Sequence, residues 1–439
     1  MRWRPGWPPE AEIHVAARGG SRPFRFPSIM TTLHPDSLSR FLALPGMVRA
    51  QLGATMLNSA SVIVKLFMPL LFRGSYALDF ETMGMLMAAY GAGCVVGAYA
   101  GGALTGRVDS RKLTAACLCA SGALAACLSQ LPPVTWLFVV VPAIGAADGA
   151  FRPGNLRLVM EAAGSDDATW LQGLHRICFN LGVALAGVAA AGLAGAGYPA
   201  LFAAAAVANV AGGCLLIRYA RDGAGAIDAR PTCVAADAHS DRRKPVSPWA
   251  DRAFLLFVLG QLLALGIFDQ MYGTFGLFLS EDYGLGARWI GYLFSLNALL
   301  IVLLQAPAMM VIGRIGLVAA SRWGTLLLAI AFPVLTLGRS PAYAIATMVC
   351  ITAAEILLTP AWTLAVMDRS ADRDRGRYLG IFTAAWLGHS LYGPAFGTWI
   401  YGTFGGRDLW WACAAVGLVV WALHHRAMGV LSPEYPHGT

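Results

Sequence analysis

The stretch Ala354-Glu355-Ile356-Leu357-Leu358-Thr359-Pro360 places one acid and one proline inside an otherwise apolar run. A second stretch, Ala147-Asp148-Gly149-Ala150-Phe151-Arg152-Pro153, has the same spacing from acid to proline. Glu355 lies 207 positions after Asp148, and Pro360 lies 207 positions after Pro153. Acids that recur at one offset inside apolar runs predict a duplicated membrane bundle with its chemistry near the midplane.

The composition indicates a membrane protein. Hydrophobic residues make up 57% of the 439 residues and charged residues only 13%, whereas a soluble domain has about 25% charged residues. The apolar runs are repeatedly about 20 residues long, which is the length of a helix that crosses a hydrocarbon core of about 30 Å. We therefore expect an all-α polytopic membrane protein, in contact with the lipid bilayer on all sides.

Twelve spans are predicted, in two pseudo-symmetric six-helix bundles. The spans are 49–72, 83–105, 113–131, 134–159, 168–195, 198–218, 253–279, 288–312, 318–338, 342–367, 378–402 and 408–425. The bundles, 47–218 and 253–425, are joined by a cytoplasmic linker at 219–252, preceded by a basic, disordered cytoplasmic leader at 1–46 and followed by a cytoplasmic tail at 426–439.

Basic residues are distributed unevenly between the two sides of these spans. Of the 32 lysine and arginine residues, we assign 25 to one side, 4 to the other and 3 to the interiors of the spans, counting those near a span end with the adjacent side. Because cytoplasmic loops carry the excess of positive charge, this asymmetry predicts an inner-membrane protein with both termini in the cytoplasm. Nucleic-acid binding needs the charge on one folded face, and no such domain is present.

The connection between spans 2 and 3 has a recognisable pattern. Two glycines end the apolar run and a basic cluster follows, in the order Gly101-Gly102-Ala103-Leu104-Thr105-Gly106-Arg107-Val108-Asp109-Ser110-Arg111-Lys112. This resembles the loop 2–3 signature of the major facilitator superfamily, and the matching residues are Gly102, Leu104, Arg107, Arg111 and Lys112. The family aspartate, which helps to latch the cytoplasmic side, falls on Gly106, so either this latch is absent here or Asp109 takes its place.

A second signature lies in span 11, at Gly393, Pro394 and Gly397. Its small residues allow close helix packing and its proline bends the helix. It resembles the glycine-proline antiporter signature of the superfamily, which usually lies in span 5; there this chain has lost the proline. With Asn297, Gln305 and Arg375-Gly376-Arg377, these residues resemble the drug:proton antiporter branch. The resemblance covers about 49–425 and implies alternating access by two rocking halves.

Six charged residues lie inside the spans and more than four residues from either end: Lys65, Asp148, Arg152, Arg176, Asp269 and Glu355. Each costs about 2.5–3.5 kcal/mol at a helix centre, so each is expected to face a cavity or a partner. At about 1.5 Å per residue, Asp148, Glu355 and His389 fall near the midplane. Lys65 and Asp269 fall in the outer half, and Arg152 and Arg176 fall toward the cytoplasm.

Glu355 is the first candidate for the proton-coupling site, because a carboxyl in an apolar cavity changes protonation as water access changes. Asp148 is a second candidate, although Arg152 at i,i+4 can neutralise it. His389 is a third candidate, as a proton relay. For each of them the alternative is a purely structural, hydrogen-bonded role.

Lys65 and Asp269 are separated by 204 positions, close to the repeat offset, and therefore lie at matched depth. In the superfamily fold, helices 1 and 7 meet at the outer mouth. We expect Lys65 and Asp269 to form an ion pair that closes an outer gate. The alternative is that Lys65 or Arg176 binds a carboxylate of the substrate.

These features predict a proton-coupled secondary transporter, an exporter of a small organic molecule that exchanges it for protons and works as a monomer. The sequence contains no P-loop and no cofactor motif, and its nine cysteines and eight histidines show no metal-ligand spacing. The alternatives are an uptake symporter and, more distantly, a non-transporting receptor or a membrane-embedded enzyme, for which His424-His425 is the one candidate site.

Overall fold

The computed structural model of the protein describes residues 35–105, 107–161, 168–222, 247–370 and 374–431. Within these ranges the chain forms fourteen α-helices, which we number α1 to α14 in chain order. They are Pro35–Ala43, Gly46–Asn58, Ser61–Gly74, Phe80–Leu104, Ser110–Ser129, Val134–Glu161, Ala168–Leu193, Gly197–Asp222, Arg252–Asp269, Phe275–Glu281, Ala287–Ala331, Pro341–Arg369, Arg375–Phe404 and Gly406–Leu431.

These helices cross the membrane twelve times. The first crossing is α2 with α3, the seventh is α9 with α10, and α11 contains the eighth and ninth. The described stretches that are long and apolar enough to span a membrane include eleven of these crossings. The other is α13, whose 30 residues include Arg375, Arg377 and His389 and are therefore less apolar. Because the number of crossings is even, residues 46 and 431 lie on the same side of the membrane, which we call the terminal side. We call the opposite side of the membrane the far side.

The predicted first span is not one continuous helix. It is divided at Ser59 and Ala60, between α2 and α3. The Ser59 hydroxyl donates to the carbonyl of Phe179 in α7, 2.9 Å away, as well as to Thr55 in its own helix. A hydroxyl shared between two backbone carbonyls is a common cause of a bend in a membrane helix.

The predicted seventh span, 253–279, is also interrupted. Helix α9 ends at Asp269 and α10 begins at Phe275, with a short turn between them. The Gln270 side chain leaves this turn and donates to the carbonyl of Gly393 in α13, 2.8 Å away. Broken helices at membrane depth are typical of transporter binding sites, because polar backbone is tolerated there only when it is buried in protein.

Several predicted boundaries are wrong. The loop expected between 312 and 318 is helical except at Gly316, where φ is +81° and the chain reverses direction. Helix α14 runs to Leu431, so the predicted tail begins inside a helix, and the predicted leader contains α1. The remaining parts of the leader (1–34), the linker (223–246) and the tail (432–439), together with Gly106, lie outside the described residues.

The two halves meet along two helix pairs, α4 with α13 and α7 with α11. Glycines make both contacts very close: a Cβ at Gly91 in α4 would overlap the backbone carbonyl of Ser390 in α13. A Cβ at Gly187 in α7 would lie 2.5 Å from the carbonyl oxygen of Gly291 in α11. Gly187 and Gly291 both lie toward the far side, so the close packing there joins the halves.

Asp251 organises the second half at the terminal side. Its carboxylate accepts a hydrogen bond from Arg369 of α12 at 2.8 Å and one from Tyr378 of α13 at 3.0 Å. It also caps the N-terminus of α9 through the Phe254 amide. One buried carboxylate therefore links the three helices that carry Asp269, Glu355 and His389.

Candidate functional site

The main polar cluster of the far side is built around Asp269, whose side chain is 1% exposed. One carboxylate oxygen lies 3.0 Å from the Lys65 ammonium group of α3, and the other is hydrogen-bonded to Nδ1 of His389 in α13. Lys65 comes from the first half, and Asp269 and His389 come from the second. The three residues therefore form a gate cluster that joins the halves.

Aromatic and amide groups complete the gate cluster. The Lys65 ammonium lies 4.3 Å from the centre of the Tyr272 ring, which is a cation–π contact. A Cβ at Gly393 would lie 2.9 Å from an Asp269 carboxylate oxygen, and one at Gly397 would overlap the Gln270 side chain. Two glycines of the span 11 signature thus make room for the broken seventh helix and its carboxylate.

The charges of the gate cluster balance in one protonation state. A charged Lys65, an ionised Asp269 and a neutral His389 that donates through Nδ1 give a net charge of zero. Any further proton leaves a positive charge in a site that is almost closed to water, which is costly. His389 contacts Asp269, although its predicted depth put it near the midplane, and the predicted depth of Asp269 was in the outer half.

A second layer of contacts lies nearer the far surface. Arg73 of α3 pairs with Glu281 of α10 at 3.2 Å, and its guanidinium stacks on the Phe80 ring at 4.6 Å. Tyr401 of α13 donates to the same glutamate at 3.0 Å. This layer is more exposed, so each of its ion pairs contributes only about 0–1 kcal/mol. The gate cluster below it is the stronger constraint.

Asp148 is bound inside the first half. Its carboxylate accepts hydrogen bonds from the Tyr90 hydroxyl of α4 at 2.8 Å and the Ser121 hydroxyl of α5 at 3.0 Å. Among the described residues it has no ion pair with Arg152, although the two are one turn apart. Arg152 is exposed, and it lies within electrostatic range of Asp148 in its own half and of Tyr272 in the other half.

Glu355 of α12 lies beside Asn297 of α11 and within electrostatic range of Arg176 from α7. Arg176 forms no ion pair with any described residue. The first half therefore presents two cations, Arg152 and Arg176, to the space between the halves, and the second half presents a carboxylate. This division of charge suits a ligand that has an anionic end and a cationic end.

The loop 2–3 signature lies at the terminal side. Asp109, the candidate to take the place of the family latch aspartate, caps the N-terminus of α5 by accepting from the Arg111 amide at 2.8 Å. Most of the signature is exposed, namely Gly102, Leu104, Arg107, Asp109 and Lys112. Arg111 is half-buried and interacts with another residue. A latch role for this loop stays a prediction.

In the candidate enzymatic pair His424-His425, His425 is exposed and His424 has the packing of a core residue. His424 is 1% exposed and lies between the Phe257 ring at 5.1 Å and the Trp362 ring at 5.2 Å. Its Nε2 faces the carbonyl of Phe257. A buried imidazole between two aromatic rings has no access to a substrate.

Sequence reasoning missed the residues that hold the acids in place. Tyr90, Ser121 and Tyr272 each contact a charged side chain from another helix. Nothing in the local sequence separates them from the many other hydroxyl and aromatic residues. Gln270 carried a usable signal, since it follows Asp269 directly inside an apolar run.

The contact between Lys65 and Asp269 predicts a specific cross-link. Cysteines at these positions, in a background without native cysteines, should be joined by a bifunctional thiol reagent about as long as the lysine side chain. The matched control is a pair at positions 65 and 252, which should stay unlinked, because Arg252 begins α9 and lies about 25 Å from Asp269 along the helix. Equal yields from both pairs would show that the reaction reports general mobility and not the gate.

Two six-helix halves, with a broken helix and buried charges at their interface, define the architecture of a secondary transporter. The family model described as Major Facilitator Superfamily matches residues 52–287 and 258–436. The chain belongs to the major facilitator superfamily, and it is a transporter rather than an enzyme. The match is to the superfamily as a whole and does not assign the chain to the drug:proton antiporter branch.

Solved structures have the same fold at low sequence identity. A POT family transporter in complex with 5-aminolevulinic acid aligns with a TM-score of 0.72 at 15% identity, covering 90% of this chain and 99% of that one. The nucleoside transporter NupG aligns with a TM-score of 0.70 at 13% identity, covering 88% and 99%. A comparison with curated proteins by sequence found no match. At these identities the likeness supports the fold alone.

Proposed function

We propose that this protein is a proton-coupled transporter of a small zwitterionic or anionic organic molecule, working by alternating access. The observation that carries the proposal is the gate cluster, in which one carboxylate, Asp269, binds a lysine from the other half and a histidine from its own half. The unequal distribution of basic residues supports placing the terminal side in the cytoplasm. The closed far side is then the outer side.

Proton coupling follows from competition for Asp269. While the gate is closed, Lys65 and His389 hold the carboxylate ionised, and the cluster is neutral. A proton on Asp269 or His389 leaves Lys65 without full compensation and favours separation of the halves at the far side. Proton binding and opening of the gate therefore favour each other. Protons are taken up at the outer side and released at the inner side.

The charges between the halves support the substrate class. Arg152 and Arg176 suit a carboxylate, and Glu355 beside Asn297 suits an ammonium group. The solved structures of similar fold include transporters of peptides and nucleosides and one in complex with 5-aminolevulinic acid. Dipeptides and 5-aminolevulinic acid have the separated charges that this arrangement favours, so they are the first compounds to test, with a nucleoside as the uncharged comparison.

Export in exchange for protons is the direction implied by the resemblance to the drug:proton antiporter branch. It requires that the substrate and the proton exclude each other, as they do when a cationic group of the substrate binds Asp269. The second candidate is uptake together with protons. It is supported by the packing of Gly393 on Asp269, which ties the span 11 signature to the gate instead of to antiport. A substrate carboxylate that takes Lys65 would also release Asp269 to bind a proton.

Transport in opposite membrane orientations tests these directions. Labelled 5-aminolevulinic acid or dialanine should accumulate in everted vesicles driven by respiration if the protein is an exporter, and in whole cells if it is an importer. A protonophore should abolish either signal. Accumulation of the labelled compound that is unchanged by the protonophore would contradict proton coupling in both directions.

Glu355→Gln provides a separate prediction for the second acid. The substitution keeps the size of the side chain and removes its charge, so we expect proton-driven transport to be abolished at unchanged expression, as the first candidate for the coupling site requires. Substrate exchange without a gradient distinguishes two roles: lost exchange indicates that Glu355 binds the substrate, and retained exchange indicates that it carries the proton. Coupled transport at the wild-type level would exclude both roles.

A further inference from the structure

A small, mostly apolar cavity lies between the halves, toward the terminal side of the α7–α11 contact. Its volume is about 30 Å³, and it is lined by Gly173, Arg176, Ile177, Asn180, Ile301, Val302 and Gln305. The helices are antiparallel and closest at Gly187 and Gly291, with the Ser295 hydroxyl donating to the Ala184 carbonyl at 2.7 Å. This register brings Arg176 level with Val302, about three turns from the closest approach at Gly187 and Gly291.

Gln305 is the unusual residue of this cavity. Its side chain is 4% exposed, and neither its amide nitrogen nor its amide oxygen has a hydrogen-bond partner among the described residues. Leaving both ends of a buried amide unpaired is costly, so such a group is expected to serve a ligand or an ordered water. The Arg176 guanidinium on the opposite wall also lacks an ion pair within the described part of the chain.

We infer that Arg176 and Gln305 form a subsite for the carboxylate of the substrate. This rests on the proposed function and adds a specificity-determining residue, Gln305. The planar fork of arginine binds a carboxylate through two parallel hydrogen bonds. The amide nitrogen of Gln305 donates to the same group, and its amide oxygen accepts from a hydroxyl or N–H on the neighbouring carbon.

The size of the cavity limits what enters it. One water needs about 10–15 Å³ of such volume, so 30 Å³ admits a carboxylate group but not a whole substrate. The apolar walls, Ile177, Ile301 and Val302, exclude competing water from the ion pair. The rest of the substrate then extends toward Glu355, which lies within electrostatic range of Arg176.

Thermal unfolding of the purified transporter tests the subsite. Because the Gln305 amide has no partner in the protein, Q305L should raise the unfolding temperature instead of lowering it. Q305E places a carboxylate opposite Arg176 and should also raise it. In the wild type, 2-hydroxybutyrate and butyrate should raise the unfolding temperature by about 2 °C or more, whereas the neutral butyramide should not. Both variants should lose this response.

N209L is the matched control. Asn209 is also buried in a membrane helix, but its amide nitrogen donates to the Ala205 carbonyl and its amide oxygen accepts from the Ser61 hydroxyl, so its replacement should lower the unfolding temperature. The inference is overturned if Q305L lowers it as N209L does, which would indicate a bound water only. It is also overturned if the wild type fails to respond to the carboxylates or responds equally to butyramide. If the wild type showed no proton-driven transport, the proposed function would be overturned instead.

Discussion

Asp269→Asn is expected to abolish the response of the far-side gate to pH. In the wild type, acidification should open the far side, because a proton on Asp269 or His389 weakens the attraction that holds Lys65 to the second half. The charged and titratable groups that face Asp269 are Lys65, His389, Tyr272 and Tyr392. Asparagine fits the space beside Gly393 but cannot bind or release the proton.

The same variant should shift the resting conformation. Removing one partner of a buried ion pair costs about 3–5 kcal/mol while the other stays charged. At about 1.4 kcal/mol per tenfold change, this shifts the balance of closed and open gates by roughly 100-fold or more. Spin labels at Ser75 and Ser340, which are exposed on the far side of each half, measure the separation of the halves directly and need no substrate.

A double variant separates gating from coupling. K65M combined with D269N leaves no unpaired charge, so the closed gate should return while the pH response stays absent. His389→Gln then assigns the proton: a pH response that survives this change belongs to Asp269. If D269N alone kept the wild-type distance distribution and pH response, Asp269 would be excluded as both the gate and the coupling carboxylate.

The sequence was a good guide to the architecture because apolar runs have a fixed required length and a long run admits little besides a helix. The 207-residue offset in addition pointed to two related halves. The sequence was a poorer guide to helix breaks. Ser59 and Gln270 interrupt apolar runs because of hydrogen bonds to α7 and α13, more than 100 residues away. No local pattern contains that information.

The candidate site was predictable to a similar extent. Unpaired charges at matched depth led to the contact of Lys65 with Asp269, which the structure contains at 3.0 Å. The depth of a residue along its helix does not say which way its side chain faces, however, so it could not bring His389 to Asp269. Partners such as Tyr90 and Ser121 depend on the rotation of one helix against another.

Gly91→Val is expected to lock the transporter with its far side open. Gly91 of α4 packs directly against the backbone of Ser390 in α13, next to His389, so a side chain at position 91 cannot be accommodated while the far side is closed. The backbone of a packed helix cannot move aside as the end of a flexible side chain can. The two helices, and with them the two halves, must therefore separate.

The size of the effect follows from the cost of overpacking, about 1–3 kcal/mol. At about 1.4 kcal/mol per tenfold change, G91V should favour the open far side by roughly 5-fold to 100-fold, with G91A giving a smaller shift. Gly102 lies in the same helix with no atom within 4 Å of an added Cβ, so G102V controls for the loss of a glycine. The Ser75 and Ser340 labels should move apart in G91V and not in G102V. Unchanged distances in a stably folded G91V would mean that α4 and α13 do not form the closing surface, and the role given to His389 beside them would lose its support.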